Sequence, residues 1–238
     1  APTLEGSYDL RLNDTVHNGS EVDYITFQVT REPWKEQVQL SLNKEDFSPS
    51  EPIYLSFEVP HTLPSTAWVA LVPASTPKGF SSVNDKYDLE YRRLDGTDKG
   101  TLTFNAPNTL GDYDLRIHDA NTQNSIELGS VSFIVSLTQW QNHVTLETNE
   151  DTFSAGDSIF LSYSIPHAMA DNAYVSIVPS TIPHGNESIN DRHGLAKQSL
   201  KGNTKGVLEF VAPEEQGTFD IRLHSHGFEI THLAFTAK

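Results

Sequence analysis

The chain has 238 residues, with 32 Asp and Glu against 16 Lys and Arg, and a formal net charge of −16 at pH 7. Such an acidic surface repels nucleic acid and anionic membranes, and no apolar run of about 18 residues is present to cross a bilayer. Cys is absent, which excludes disulfides, thiolate metal sites and thiol nucleophiles and fits a bacterial surface or secreted protein better than a eukaryotic extracellular one.

No succession of charged, apolar and small residues opens the chain, as a signal peptide would require. The first elements are two strands near 6–12 and 22–29. Seven more are expected near 38–42, 53–59, 67–72, 87–93, 100–105, 112–118 and 126–135. Ile53, Leu55, Phe57 and Val59 alternate with Tyr54, Ser56 and Glu58, the period of a half-buried strand. Turn residues punctuate the set at Ser48-Pro49, Pro64-Ser65, Asp95-Gly96 and Pro107 to Gly111. No stretch shows an amphipathic helical stripe, so neither module is expected to contain a helix ahead of its last strands.

The same pattern then repeats. Residues 38–118 align without a gap onto 144–224 at a constant offset of 106, with about two positions in five identical. LSFEVPH at Leu55–His61 becomes LSYSIPH at Leu161–His167, AWVALVP at Ala67–Pro73 becomes AYVSIVP at Ala173–Pro179, and GDYDLRIH at Gly111–His118 becomes GTFDIRLH at Gly217–His224. The N-terminal pair matches the tail of this unit. Ala1-Pro2 corresponds to Ala106-Pro107, GSYDLRL at Gly6–Leu12 to GDYDLRI, and Val22–Val29 to Gly129–Val135. The chain therefore reads as all-β: tandem immunoglobulin-like β-sandwich modules, with the C-terminal part of an incomplete module at 1–30 and whole modules at 38–135 and 144–238.

Two details sharpen this. Gly111 and Tyr113 open the sixth strand after a Pro-containing corner, the place of a corner tyrosine; Tyr8 repeats it and Phe219 replaces it. Trp68 stands on the third strand, where immunoglobulin-type domains bury a Trp, with Tyr174 in its place later; Leu115 and Ile221 stand where antibody domains have a Cys. Trp68, Val69, Leu71, Tyr113 and Leu115 and their equivalents are expected in the interior. The run from AWVALVP through GTLTFNAP to GDYDLRIHD resembles bacterial immunoglobulin-like repeats of cell-surface and secreted proteins, of the type found with von Willebrand factor A domains. The resemblance covers nearly the whole chain, implies the sandwich fold, and brings no catalytic residue.

Candidate chemistry is sparse. Asp114 and Arg116 share a strand face and recur as Asp9/Arg11 and Asp220/Arg222; the expectation is an exposed or inter-strand ion pair worth at most about 1 kcal/mol. For a transition metal, His224 and His226 share a strand and His232 follows on the next; Ala120 stands in the place of His226 in the preceding module. For calcium, the polar loop after the third strand offers Asn84 and Asp85, with Asp95 and Asp98 in the next turn, although Lys201 and Thr204 replace the second pair later. His61 and His167 follow Pro at strand ends and read as loop caps. Sequons at Asn13, Asn18 and Asn186 are at the level an Asn-rich chain gives by chance.

No G-x-S-x-G selects a Ser, no phosphate loop is present, and no pair of the 32 carboxylates stands out as catalytic. The expectation is a non-enzymatic, extracellular or cell-surface region, structural or adhesive, that spans distance or assembles through β-sheet contacts. No cofactor is required for folding, with calcium as the permitted exception. The expected partners are the chain itself or an upstream fragment of the same precursor, through strand completion, with no nucleic acid and no membrane insertion. The alternative is an accessory module of a larger secreted enzyme, binding a ligand such as carbohydrate.

Overall fold

The structure is a computed structural model that describes residues 5–60, 63–122, 125–185 and 187–238, apart from the side chains of 168 and 170. Ala1-Pro2, His61 and Asn186 lie outside the described residues. By Cα proximity the chain divides into two compact units, one of Ala1–Asn43, Tyr54–Phe104 and Tyr113–Ser132, the other of Lys44–Ile53, Asn105–Asp112 and Phe133–Lys238.

The chain opens with an antiparallel hairpin of β1 (Gly6–Asn13) and β2 (Glu21–Val29), in which Tyr8 faces Phe27. A single helical turn, α1 (Glu32–Lys35), carries Pro33 at its start, where a missing N–H costs nothing. Arg31, just before it, is anchored to Asp119 at 2.6 Å. Eight strands follow: β3 (Gln39–Leu42), β4 (Asp46–Phe47), β5 (Pro52–Glu58), β6 (Trp68–Pro73), β7 (Glu90–Arg93), β8 (Lys99–Asn105), β9 (Gly111–His118) and β10 (Glu127–Val135). They form a three-stranded sheet ordered β3-β5-β8 and a five-stranded sheet ordered β4-β10-β9-β6-β7. After the turn α3 (Thr138–Gln141) the set recurs as β11 (Thr145–Thr148), β12 (Thr152–Phe153), β13 (Ser158–Ser164), β14 (Tyr174–Pro179), β15 (Ala196–Ser199), β16 (Lys205–Val211), β17 (Gly217–Ser225) and β18 (Phe228–Ala237), with sheet orders β11-β13-β16 and β12-β18-β17-β14-β15.

Two sheets of this order, enclosing one apolar layer, make an immunoglobulin-like β-sandwich. In the second repeat Ile159, Leu161 and Tyr163 of β13 share a core with Val175 and Ile177 of β14 and with Phe219, Ile221 and Leu223 of β17. The strict alternation of β5 and β13 makes one face apolar, and every second residue there is buried. The equivalents in the first repeat, Val69, Leu71, Tyr113 and Leu115, are also buried.

Several expectations change. Among the described residues each repeat holds eight strands, because the edge after the first strand breaks and rejoins the opposite sheet. There β4 and β12 run parallel to the ends of β10 and β18 over two residue pairs each. The expectation of helix-free modules is wrong. A seven-residue helix, α2 (Ser81–Tyr87), precedes β7, and its counterpart α4 (Glu187–His193) stands at the same offset of 106. The fourth strand shrinks accordingly to 90–93. The buried face of α2 is Ser81 and Asn84, so no apolar stripe announces the helix.

Trp68 is buried, but with Ala70 and Val72 on the face of β6 opposite Val69 and Leu71. Its indole Nε1 donates to the carbonyl of Ala120 at 3.0 Å. Both faces of β6 are therefore covered, which is why its sequence is a continuous apolar run.

Candidate functional site

The second covered face is organised by the recurring Asp and Arg. Along the register of β6 and β9, His118 lies opposite Trp68, Arg116 opposite Ala70 and Asp114 opposite Val72. Arg116 is completely buried. Its Nε and Nη2 donate to Asp114 at 3.1 and 2.8 Å, Nη2 also to the carbonyl of Thr76 at 2.8 Å, and Nη1 to the carbonyl of Pro77 and the amide oxygen of Asn84 at 3.1 and 3.3 Å. Arg222 repeats this with Asp220 at 3.2 and 2.8 Å, the carbonyls of Ile182 and Pro183 at 2.6 and 3.1 Å, and Asn190 at 2.7 Å. The guanidinium fork thus ties the loop after the third strand and the short helix to the sheet. The expected exposed or inter-strand pair is corrected: inside each repeat it lies within one strand as a buried, hydrogen-bonded node, whose loss leaves a charge without water. Only on the hairpin does the pair, Asp9 and Arg11 at 2.9 Å, stay largely exposed.

This node also takes up Asn84, one of the residues considered for calcium. Asn84 is buried, its oxygen taken by Arg116 and its amide directed to the carbonyl of Phe80. Asp85 points from α2 to solvent, and Asp95 and Asp98 occupy the exposed turn after β7, where Asp95 holds a φ of 51°. Among the described residues, none of these carboxylates belongs to a group of three acidic or His side chains close enough to share an ion.

The three His considered for a transition metal, His224, His226 and His232, are not brought together. His224 is buried and stacked on Tyr174, with ring centroids 5.0 Å apart. Burial lowers its pKa, the nearby Arg222 adds to this, and Glu229, Glu187 and Asp191 oppose it. A bulge between Leu223 and His224 shifts the register. His226 then lies in the turn at φ 53°, held by Ser225 at 2.8 Å and packed near Trp140. His232 instead meets His184 and Glu229, one potential ligand atom from each lying within 4.8 Å of the others.

His184 escaped the sequence reading because it lies 45 residues before Glu229 (229 − 184) and 48 before His232 (232 − 184). The available signal was that it replaces Lys78 of the aligned repeat. His167 begins a 3-10 turn, His167–Asn172, and is exposed.

The hairpin is a different kind of site. Tyr8 stacks on Phe27 at 5.9 Å, as Phe219 stacks on Phe235 at 5.7 Å, so β1–β2 reproduces the β17–β18 pair. Yet Leu10 and Leu12 are 68% and 61% exposed, whereas their equivalents Leu115 and Ile117 are 0% exposed. Val22, Tyr24 and Ile25 on β2 are exposed too.

No family model and no curated protein matches the chain. Among solved structures, the polymeric Ig receptor ectodomain of a teleost fish aligns at 11% identity and a TM-score of 0.29, covering 84% of this chain and 97% of that one. The D1–D4 ectodomain fragment of ICAM-5 aligns at 12% identity and 0.28, covering 98% and 61%. The type II cohesin dyad of the ScaA scaffoldin of Acetivibrio cellulolyticus aligns at 10% and 0.20, covering 81% and 94%. The fold assignment rests on the sheet orders and the buried layer described above. No helix among the described residues is long and apolar enough to cross a membrane.

Proposed function

We propose that this chain is an extracellular, non-catalytic run of immunoglobulin-like modules, with a partial module at 1–30 and whole ones at 38–135 and 144–238, that spans distance and assembles by strand completion. The observation that carries the reading is the hairpin, whose Leu10 and Leu12 are open to solvent where the same residues of a whole repeat are sealed. Two strands alone do not bury enough to be stable in water, and a broad apolar surface on a soluble chain marks an interaction site. The natural cover is the complement that β9 and β10 have in a whole repeat, strands equivalent to β3–β8. In this reading a second copy of the chain, or an upstream fragment of the same precursor, completes the pair with such strands. The acidic, Cys-free composition suits a bacterial cell surface, and the recurrent Asp–Arg node is a structural rather than a catalytic use of charge.

The test compares the chain with a form lacking residues 1–30, by light scattering, electron microscopy and binding of an apolar dye. The intact chain should bind dye and associate as concentration rises. The shortened form should do neither while keeping its thermal transition. An intact chain that stays monomeric and dark with dye, or a shortened form that associates equally, overturns the reading.

A further inference from the structure

The second repeat differs from the first at one polar corner of otherwise shared construction, and the difference has the chemistry of a metal site. In both repeats a carboxylate at the start of the last strand accepts from a loop backbone N–H and neighbours the buried guanidinium. In the first repeat this is Glu127, with Gly79 at 3.3 Å and Arg116 at 3.9 Å; in the second it is Glu229, with Gly185 at 2.9 Å and Arg222 at 3.6 Å. Gly185 holds a φ of +96°, a left-handed backbone that suits glycine and aims its N–H at the carboxylate. Beside this frame the first repeat places Lys78, whose ammonium donates to Ser130 at 3.0 Å. The second repeat places His184 and His232 at those positions.

We infer that His184, Glu229 and His232 form a binding site for a divalent transition metal, of which Zn²⁺ is the representative. One potential ligand atom from each lies within 4.8 Å of the others. Nδ1 of His184 is 2.6 Å from Glu229, Nδ1 of His232 is 3.8 Å from it, and the two imidazoles lie 4.4 Å apart. Ligands at about 2.0–2.2 Å from a tetrahedral ion stand roughly 3.3–3.6 Å apart. Both imidazoles are half-exposed and free to turn the remaining distance, and their exposure leaves a further position for water.

The supporting contacts suit an ion. Nε2 of His184 faces Asp220 at 3.6 Å, the carboxylate–histidine arrangement that orients a metal-binding imidazole. Glu229 is held by Gly185, and its amide neighbour Asn190 donates at 3.4 Å. With neutral imidazoles the cluster of Glu229, Asp220 and Arg222 carries one net negative charge, which favours a dication. To bind an ion through Nδ1, His184 takes the neutral tautomer that carries its proton on Nε2, the nitrogen that faces Asp220. Two imidazoles with one carboxylate select Zn²⁺, Cu²⁺ or Ni²⁺ over Ca²⁺.

The test titrates the full chain with Zn²⁺ at neutral pH by calorimetry. The control is His184→Lys with His232→Ser, which recreates the polar pair of the first repeat and so is compatible with the fold. The intact chain should bind one Zn²⁺ at this site, with affinity at least about tenfold above the double variant. Zn²⁺ should raise its thermal midpoint and leave that of the variant unchanged. Should the double variant fail to fold, the half-exposed His232→Ser alone carries the comparison with the same expected loss. Co²⁺ should give the visible absorption of a tetrahedral site in the parent only. Equal Zn²⁺ affinity and stoichiometry in parent and variant, or no binding by the parent, overturns the inference. Removal of residues 1–30 should leave Zn²⁺ binding intact, so this outcome is independent of strand completion.

Discussion

Acid should destabilise this protein through the two His buried among its described residues, and the size of the effect follows from their surroundings. His118 is 0% exposed, and its ring stacks on Trp68 at 4.8 Å. Burial lowers its pKa from 6.5 to about 4, Asp119 pulling the other way and Arg116 adding to the drop. The unfolded chain therefore binds a proton near pH 6.5 that the folded chain refuses until about pH 4. Stability must fall as pH drops through that window, at about 1.4 kcal/mol per pH unit, and level off below it. Over the whole window the loss from His118 is about 3 kcal/mol, taken as an upper figure. His224 acts in the same direction in the second repeat. Urea titrations followed by fluorescence, from neutral pH to below pH 5, should be run on the parent and on His118→Phe, which keeps an aromatic ring and removes the proton site. The parent should lose stability relative to the variant steadily as pH falls, while the carboxylates common to both cancel. A difference that stays flat with pH would refute the reasoning, because His118 would then be hydrated in the folded state.

Two further perturbations probe the same layer. Trp68→Ala should cost roughly 3–5 kcal/mol in a denaturant titration, from lost burial and the lost bond to Ala120; a loss under about 1 kcal/mol would place Trp68 at the surface. Arg222→Ala should cost about 3–5 kcal/mol by stranding Asp220. Arg222→Met with Asp220→Ala should recover much of that loss, and failure to recover would show that the carbonyl contacts, rather than the unpaired charge, hold the loop.

What the sequence displayed of the fold depended on the kind of signal each element carries. β5 and β13 were legible because one face meets the core and the other meets water, which imposes a period of 2. β6 was legible only as an apolar run, since both its faces are covered. That also hid the direction of Trp68: on a strand buried on both sides, alternation cannot say which side is the core. α2 was invisible because its two buried residues, Ser81 and Asn84, are polar. β4 and β12 are two residues long, shorter than any period can show.

The sites failed to show for a related reason. Asp114 and Arg116 were visible as a pair, but their burial was not, because much of what satisfies Arg116 is backbone: the carbonyls of Thr76 and Pro77, about 40 residues away, have no signature in the side-chain sequence. The bulge after Leu223 likewise undid the expected pairing of His224 with His226, and only the fold could bring His184 to His232. Residue identity shared by the two repeats marks what the sandwich needs to stand: the Asp, Arg and Asn of the node, and the glycine and glutamate beside it. Function is better sought where that frame is kept and its contents change. Lys78 with Ser130 makes a closed polar pair, whereas His184 with His232 presents lone pairs beside a carboxylate on the same frame. The second arrangement adds a capacity to bind that the fold itself does not require, because the first repeat stands without it.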